Sequence, residues 1–274
     1  MSKNGEIVQA LRNLGLESTS ICLHSSLRSF SERRVIPDEV IRSFLELNNT
    51  ILVPTQSWLL YSAPKPESRG FIPFNAEDDG SIPSSLPSEG FSIASNKVGK
   101  AMGALPQTLL QDPKRRRGNH PLASFAALGP KADSLIQDQN FASPLLPLEK
   151  LRQLDGYVML MGVGLTSATA LHLAEQLAGL PGLTRWALLE SKEIVECSVT
   201  GCSKGFNALI NALGHLSQQQ TVLGSAWTLY PLKTLLDAAV EVFLEDPLIA
   251  ICDFHNCPRC SARSDYVRLG KTRL

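Results

Sequence analysis

The stretch Thr169-Ala170-Leu171-His172-Leu173-Ala174-Glu175 places a hydroxyl, an imidazole and a carboxyl at successive three-residue intervals. On an α-helix, residues three apart share a face, so the three groups would point the same way. A positioned imidazole can take a proton near neutral pH, and a carboxylate can fix its tautomer and stabilise its cationic form. The hydroxyl of Thr169 could donate to a developing oxyanion. A plain helix with a hydrogen-bonded, half-buried His and an exposed Glu fits the same pattern. The segment follows an apolar run at 157–161 and the turn Gly162-Val163-Gly164. The third glycine of a dinucleotide fingerprint is absent, so a nicotinamide or flavin cofactor is not expected.

Three more polar groups follow short apolar runs: His24-Ser25-Ser26, Thr55-Gln56-Ser57, and the basic turn from Lys114 to His120 that contains Arg115, Arg116 and Arg117. The first could offer donors to a phosphate or a thioester, or could simply end a strand. The guanidinium groups of the basic turn could grip phosphates in bidentate fashion, or could form a solvated loop. In the tail, Cys252, His255, Cys257 and Cys260 match a tetrahedral zinc shell in number. They are crowded into nine residues without a second, separated knuckle, so packed thiols are the favoured reading and no metal is assigned. Cys22 and Cys197 lie in apolar runs and read as buried reduced thiols.

These groups must be held by an ordinary globular chain. Its 274 residues carry 26 Lys+Arg against 26 Asp+Glu, with a mean hydropathy of zero. A balanced charge gives no global field for nucleic acid or anionic membrane. No stretch reaches the roughly 20 apolar residues of a membrane span, and the start lacks the apolar core of a signal peptide, so the cytoplasm is the expected location.

Apolar spacing predicts helices at 6–16, from 37 onward, at 96–110, 131–136, 147–154, 169–177, 206–213 and 231–244. It predicts strands at 20–23, 50–53, 123–128, 157–161, 186–189, 194–199 and 221–223. Residues 62–95, dense in Pro, Ser and Gly, read as one long loop, which we expect to cover the mouth of the site. Alternating strands and helices give an α/β fold whose mixed or largely parallel sheet lies between helical layers. The simplest division is a single domain, 1–274, with the loop 62–95 and a cysteine-bearing tail 247–274. In such sheets ligands settle beyond the carboxyl ends of strands, where the polar groups above fall.

Five segments, in order, carry a resemblance: Leu23-His24-Ser25-Ser26-Leu27-Arg28-Ser29-Phe30, Leu52-Val53-Pro54-Thr55, Met102-Gly103-Ala104-Leu105-Pro106, Asn119-His120-Pro121-Leu122-Ala123-Ser124-Phe125-Ala126-Ala127-Leu128-Gly129, and Leu160-Met161-Gly162-Val163-Gly164 leading into Thr169–Glu175. Together they resemble the aminoglycoside 3-N-acetyltransferase family of antibiotic-resistance enzymes. The resemblance implies a three-layer αβα sandwich, acetyl-CoA as co-substrate, a small-molecule amine as acceptor, and direct transfer without an acyl-enzyme. It makes His172 the general base, with Thr169 and Glu175 as its catalytic neighbours. It puts His24, Ser25, Ser26, Thr55, Arg117 and His120 in the CoA-binding region.

The chain also departs from the family pattern. Leu165-Thr166-Ser167-Ala168 stands where family members tend to carry Trp and Asp. No Asp or Glu occurs from Cys197 to Leu236, a region from which the family commonly draws an acidic partner for the histidine. The obvious acids lie on the long loop, at Glu77, Asp78, Asp79 and Glu89. The expected acceptor is therefore a primary amine less charged than a typical aminoglycoside. A non-catalytic CoA-binding or regulatory protein of the same fold and a zinc-supported interaction module are the other classes, and the oligomeric state, a homodimer among the options, stays open.

Overall fold

The computed structural model describes residues 4–270, so the first three residues and the last four of the tail 247–274 lie outside the described residues. In chain order the strands are β1 (Ser20–Ser25), β2 (Thr50–Pro54), β3 (Ser62–Ala63), β4 (Arg116–Arg117), β5 (Phe125–Leu128), β6 (Tyr157–Met161), β7 (Leu183–Leu188), β8 (Ile194–Val199), β9 (Gln218–Val222) and β10 (Ser225–Pro231). The helices are α1 (Gly5–Asn13), α2 (Pro37–Glu46), α3 (Trp58–Tyr61), α4 (Ala104–Leu109), α5 (Ala132–Ile136), α6 (Leu146–Gln153), α7 (Ala170–Leu177), α8 (Ile210–Leu213), α9 (Leu232–Glu245) and α10 (Pro258–Arg268).

Seven strands form one sheet in the order β4-β5-β2-β1-β6-β10-β9. The centre, β2-β1-β6, is parallel, and every outer pairing is antiparallel. The sheet is thus mixed, with a parallel core. Successive side chains of a strand face opposite ways, and both faces here are covered. Cys22, Leu52, Val158 and Leu160 pack beneath α5, α6, α7 and α9. Ile21, Leu23, Ile51, Val53, Met159 and Met161 pack beneath α1, α2 and α4. Burial on two faces is why these strands read as unbroken apolar runs, each large side chain contributing about 1.5–3 kcal/mol. The result is the three-layer αβα sandwich.

Three departures from the sequence reading have local causes. β9 and β10 form a hairpin where spacing predicts one short strand at 221–223. Its turn residues Leu223 and Gly224 both have positive φ, 52° and 77°. Such a turn is normally signalled by Asn-Gly or Asp-Gly, and Gln218-Gln219-Gln220 offers no apolar alternation. The helix expected at 96–110 is split into a 3-10 turn at Lys100–Met102 and α4, because Gly103 adopts φ +80° between them. β7 and β8, rather than joining the main sheet, pair with β3 in a separate three-stranded sheet.

The loop 62–95 is fastened onto that small sheet. Phe91 N–H donates to Leu188 O at 2.8 Å. The guanidinium of Arg185 on β7, fully buried, donates to the carbonyls of Asn75 and Ala76 at 3.0 and 3.1 Å and pairs with Asp79 at 2.7 Å.

Candidate active site

Because β1, β2 and β6 run parallel, their carboxyl ends lie side by side, and the polar residues that follow each strand converge there. They line a cavity of about 1100 Å³, just above the about 300–1,000 Å³ usual for ligand pockets. Its wall includes His24, Ser25 and Ser26 at the end of β1, Pro54 and Gln56 at the end of β2, and Val163, Thr166, Ser167, Thr169 and His172 after β6. The turn after β6 depends on Gly162. Its φ is +65°, and a Cβ there would fall 2.0 Å from Ser29 Oγ.

His172 sits in the first turn of α7. Its Nδ1 lies 2.7 Å from Glu175 Oε2, the i,i+3 neighbour that helical spacing predicts. A carboxylate accepts the Nδ1 proton, which leaves the lone pair on Nε2, the tautomer a general base requires. The ring packs against Phe206 at a centroid distance of 4.8 Å, which limits its rotation. The other oxygen of Glu175 accepts from Arg263 on α10. All three side chains are at most 8% exposed. Burial pushes the Glu175 carboxyl up, but the charges of His172 and Arg263 and the bonds to both outweigh it and hold the group below its ordinary value. Arg263 was not anticipated, since nothing in the local pattern of the tail links it to residue 175.

Of the other residues singled out in the sequence, His24, Ser25, Ser26 and Thr169 reach the cavity. His24 occupies the α7-facing side of β1, two residues on from Cys22, and burial pushes its imidazole down to about 4. It is therefore neutral at physiological pH. Thr55, Arg117 and His120 are not in the cavity wall but in a buried polar layer behind it. Thr55 Oγ1 and Ser124 Oγ are 2.8 Å apart. Arg117 donates to Ser95 O at 2.7 Å and Ser124 Oγ at 3.2 Å, and stacks over Phe91 at 5.0 Å. His120 accepts from the Ala123 N–H at Nδ1 (2.9 Å) and donates from Nε2 to Ser198 O (2.8 Å). Here the basic turn ties strands and loops together, because its arginine side chain is desolvated among carbonyls. Arg115 likewise donates to Ala94 O and Asn96 Oδ1.

The cationic groups that do face the cavity are Arg28, Lys100, Lys204 and Arg259, against Asp79. Asp79 is fully engaged: Oδ2 meets Arg185 at 2.7 Å and Arg259 at 2.5 Å, and Oδ1 accepts from Ser81 N–H at 2.9 Å. Burial raises its carboxyl, and the bonds from Ser81 and the two arginines lower it further than that. Of the other loop acids, Glu77 is held by Lys65 and Glu89 by Lys97. Of the loop 62–95 only Asp79 lines the cavity, so the loop is a clamped wall and not the expected cover.

One more side-chain cluster stands at the cavity edge. The sulfurs of Cys202, Cys252, Cys257 and Cys260 all lie within 4.8 Å of one another. His255, counted with the cysteines in the sequence, is exposed at the cavity wall outside this group. Cys202, fifty residues before Cys252, replaces it. The approach depends on Gly205, where a Cβ would sit 2.1 Å from Ala250 O.

Known proteins resemble this chain in sequence and in fold. The chain is 32% identical to aminoglycoside N(3)-acetyltransferase IV from Salmonella sp over 189 residues, 65% of this chain and 60% of that protein. It thus spans about three-fifths of the length of the curated relatives it matches. The crystal structure of the apoenzyme of aminoglycoside acetyltransferase AAC(3)-IVa superposes with a TM-score of 0.73 at 25% identity, covering 96% of both chains. A mutant of that enzyme in complex with a gentamicin gives 0.72, with the same identity and coverage. The profile of the aminoglycoside 3-N-acetyltransferase family matches residues 22–244, which includes both strand-end segments and the His172–Glu175 pair, and the chain belongs to that family.

Proposed function

We propose that this chain transfers an acetyl group directly from acetyl-CoA to a primary amine of an aminoglycoside or another small amine. The observation that carries the reading is the pair His172–Glu175, buried on the wall of a large cavity at the carboxyl ends of parallel strands. The neutral amine attacks the thioester carbonyl, His172 Nε2 takes the proton lost as the C–N bond forms, and the C–S bond breaks. The proton then passes to the departing thiolate, giving amide and CoA thiol. Glu175 stabilises the transient imidazolium, and Arg263 keeps Glu175 ionised while it does so. Thr169, on the cavity wall at the start of α7, would donate to the carbonyl oxygen as charge develops. Arg28, Lys100 and Lys204 make no ion pair among the described residues and would meet the phosphates of CoA. The gentamicin complex of the related AAC(3)-IVa structure supports an amine acceptor of this kind.

The test is thiol release from acetyl-CoA with a panel of aminoglycosides and simpler primary amines. Turnover that depends on the amine supports the reading. Tight CoA binding without thiol release for any amine would instead favour a CoA-binding protein of the same fold.

A further inference from the structure

We propose that Cys202, Cys252, Cys257 and Cys260 hold one zinc ion as a closed tetrathiolate, and that this ion fixes α10 so that Arg263 braces the catalytic pair. Four thiols gather at one point from two places far apart in sequence, the loop after β8 and the tail. A regular tetrahedral site with Zn–S bonds of about 2.3 Å has sulfur–sulfur edges of about 3.8 Å. Here the Cys252–Cys260 pair stands at 3.6 Å and no pair exceeds 4.8 Å, so closing on an ion requires shifts of an ångström or less. Soft sulfur in fourfold tetrahedral array selects zinc over the hard divalent cations.

The surroundings match that chemistry. Cys257 caps α10 and Cys260 lies in its first turn, so the helix dipole favours the negative sulfurs. The Cys252 N–H donates to Cys260 Sγ at 3.5 Å, the kind of backbone bond that orients a metal ligand. A zinc tetrathiolate carries two net negative charges, and Lys204, Arg259 and Arg263 are within three residues of its members in sequence. Arg259 also donates to Gly201 O at 3.4 Å, joining the two halves. Gly205 then has a purpose: only a residue without Cβ lets the 202 loop lie against the backbone at 250–251.

The ion would act on the reaction only through position. α10 is an eleven-residue helix whose Arg263 and Tyr266 reach Glu175 and Gly179 at the end of α7, and Arg263 is three residues beyond Cys260. Loosening the ligands withdraws Arg263 from Glu175 and so loosens the imidazole that Glu175 orients.

Elemental analysis of the purified full chain decides the first part, and because it needs no acetyl-CoA it stands apart from the acetylation reading. About one zinc per chain is expected, with Cys202→Ser and Cys257→Ser falling at least about tenfold and His255→Ala unchanged. Should the serine variants fail to fold, the wild-type protein titrated with an organomercurial should release zinc as its thiols are consumed, and its cobalt(II)-exchanged form should show the visible bands of a tetrahedral thiolate site. Protein that carries no zinc and takes up neither zinc nor cobalt after reduction would overturn the proposal, as would iron in place of zinc. For the second part, Arg263→Gln should keep its zinc and lose kcat about tenfold with the KM for acetyl-CoA unchanged. A normal kcat in that variant would refute the brace.

Discussion

Nδ1 of His172 and Oε2 of Glu175 are 2.7 Å apart across one helical turn, so the proposed base and its orienting acid lie on a single element. In the mechanism proposed above, Glu175 would take the place of the acid that the resemblance led us to expect in the segment from Cys197 to Leu236.

This arrangement makes His172→Ala the most informative substitution. It should reduce kcat by about 10²–10⁴ while CoA affinity and the melting temperature stay close to wild type. Glu175→Gln should cost less, since the imidazole remains and only its tautomer and cationic form lose support. Steady-state kinetics with any active amine checks both, and unimpaired turnover by His172→Ala would remove the mechanism.

Arg117 and Lys100 should behave in opposite ways. Arg117 is buried among carbonyls, and replacing it with Met leaves those acceptors unpaired, a loss of about 2 kcal/mol or more in stability. Lys100→Gln touches only the cavity and should raise the KM for acetyl-CoA several-fold without moving the unfolding midpoint. Denaturant melts and initial rates on the two variants would separate the assignments. A stable Arg117→Met protein with weakened CoA binding would return the basic turn to the phosphate site.

Stability should fall on mild acidification. Burial lowers His24 and His120 to about 4 in the folded chain, from an ordinary 6.5. Between those values the unfolded chain binds more protons than the folded one, so stability is complete above about pH 6.5 and is lost as pH falls toward about 4. Each histidine can contribute about 3 kcal/mol to this loss. Glu175 and Asp79, whose carboxyls are held low, add to it only at lower pH, below their ordinary values of 4.5 and 3.8. Urea unfolding from pH 7.5 to 4.5 should show the slope, and His120→Gln should reduce it; a flat profile would mean that these imidazoles are not neutral in the fold.

The charge of the cavity bears on the acceptor. Arg28, Lys100 and Lys204 face it, and the one acid lining it among the described residues, Asp79, is saturated by two arginines. A polycation would lose hydration without gaining carboxylates, whereas a singly charged amine loses far less. Competition assays should give a higher kcat/KM for small primary amines than for aminoglycosides with three or more ammonium groups. A kcat/KM above about 10⁴ M⁻¹s⁻¹ for a typical aminoglycoside would reverse this ranking.

How far the site could be read from sequence depended on whether its parts were local. His172 and Glu175 share a helix, and His24-Ser25-Ser26 directly ends a strand, so spacing alone grouped them, while their proposed roles came from the resemblance. Arg263, Cys202 and Lys204 join the site only through chain returns of roughly 50–90 residues, which no local period encodes. Arg117 and His120 were misplaced because a basic turn has the same composition whether its side chains bind an anion or their own backbone. The central strands were legible because burial on both faces leaves unbroken apolar runs, while β9 and β10 were hidden by glutamines and by a leucine in a left-handed turn.

A single oxygen of Asp79 receives guanidinium groups from β7 and from α10, and the segment preceding α10 supplies residues 254–257 of the cavity wall. Proteolytic trimming of the chain near residue 250 would therefore remove one wall of the cavity, one counterion of Asp79 and the arginine behind Glu175 in a single cut. The contacts of His172 with Glu175 and Phe206 would remain, so such a cut would weaken the proposed base as Arg263→Gln does and add to that the loss of a cavity wall.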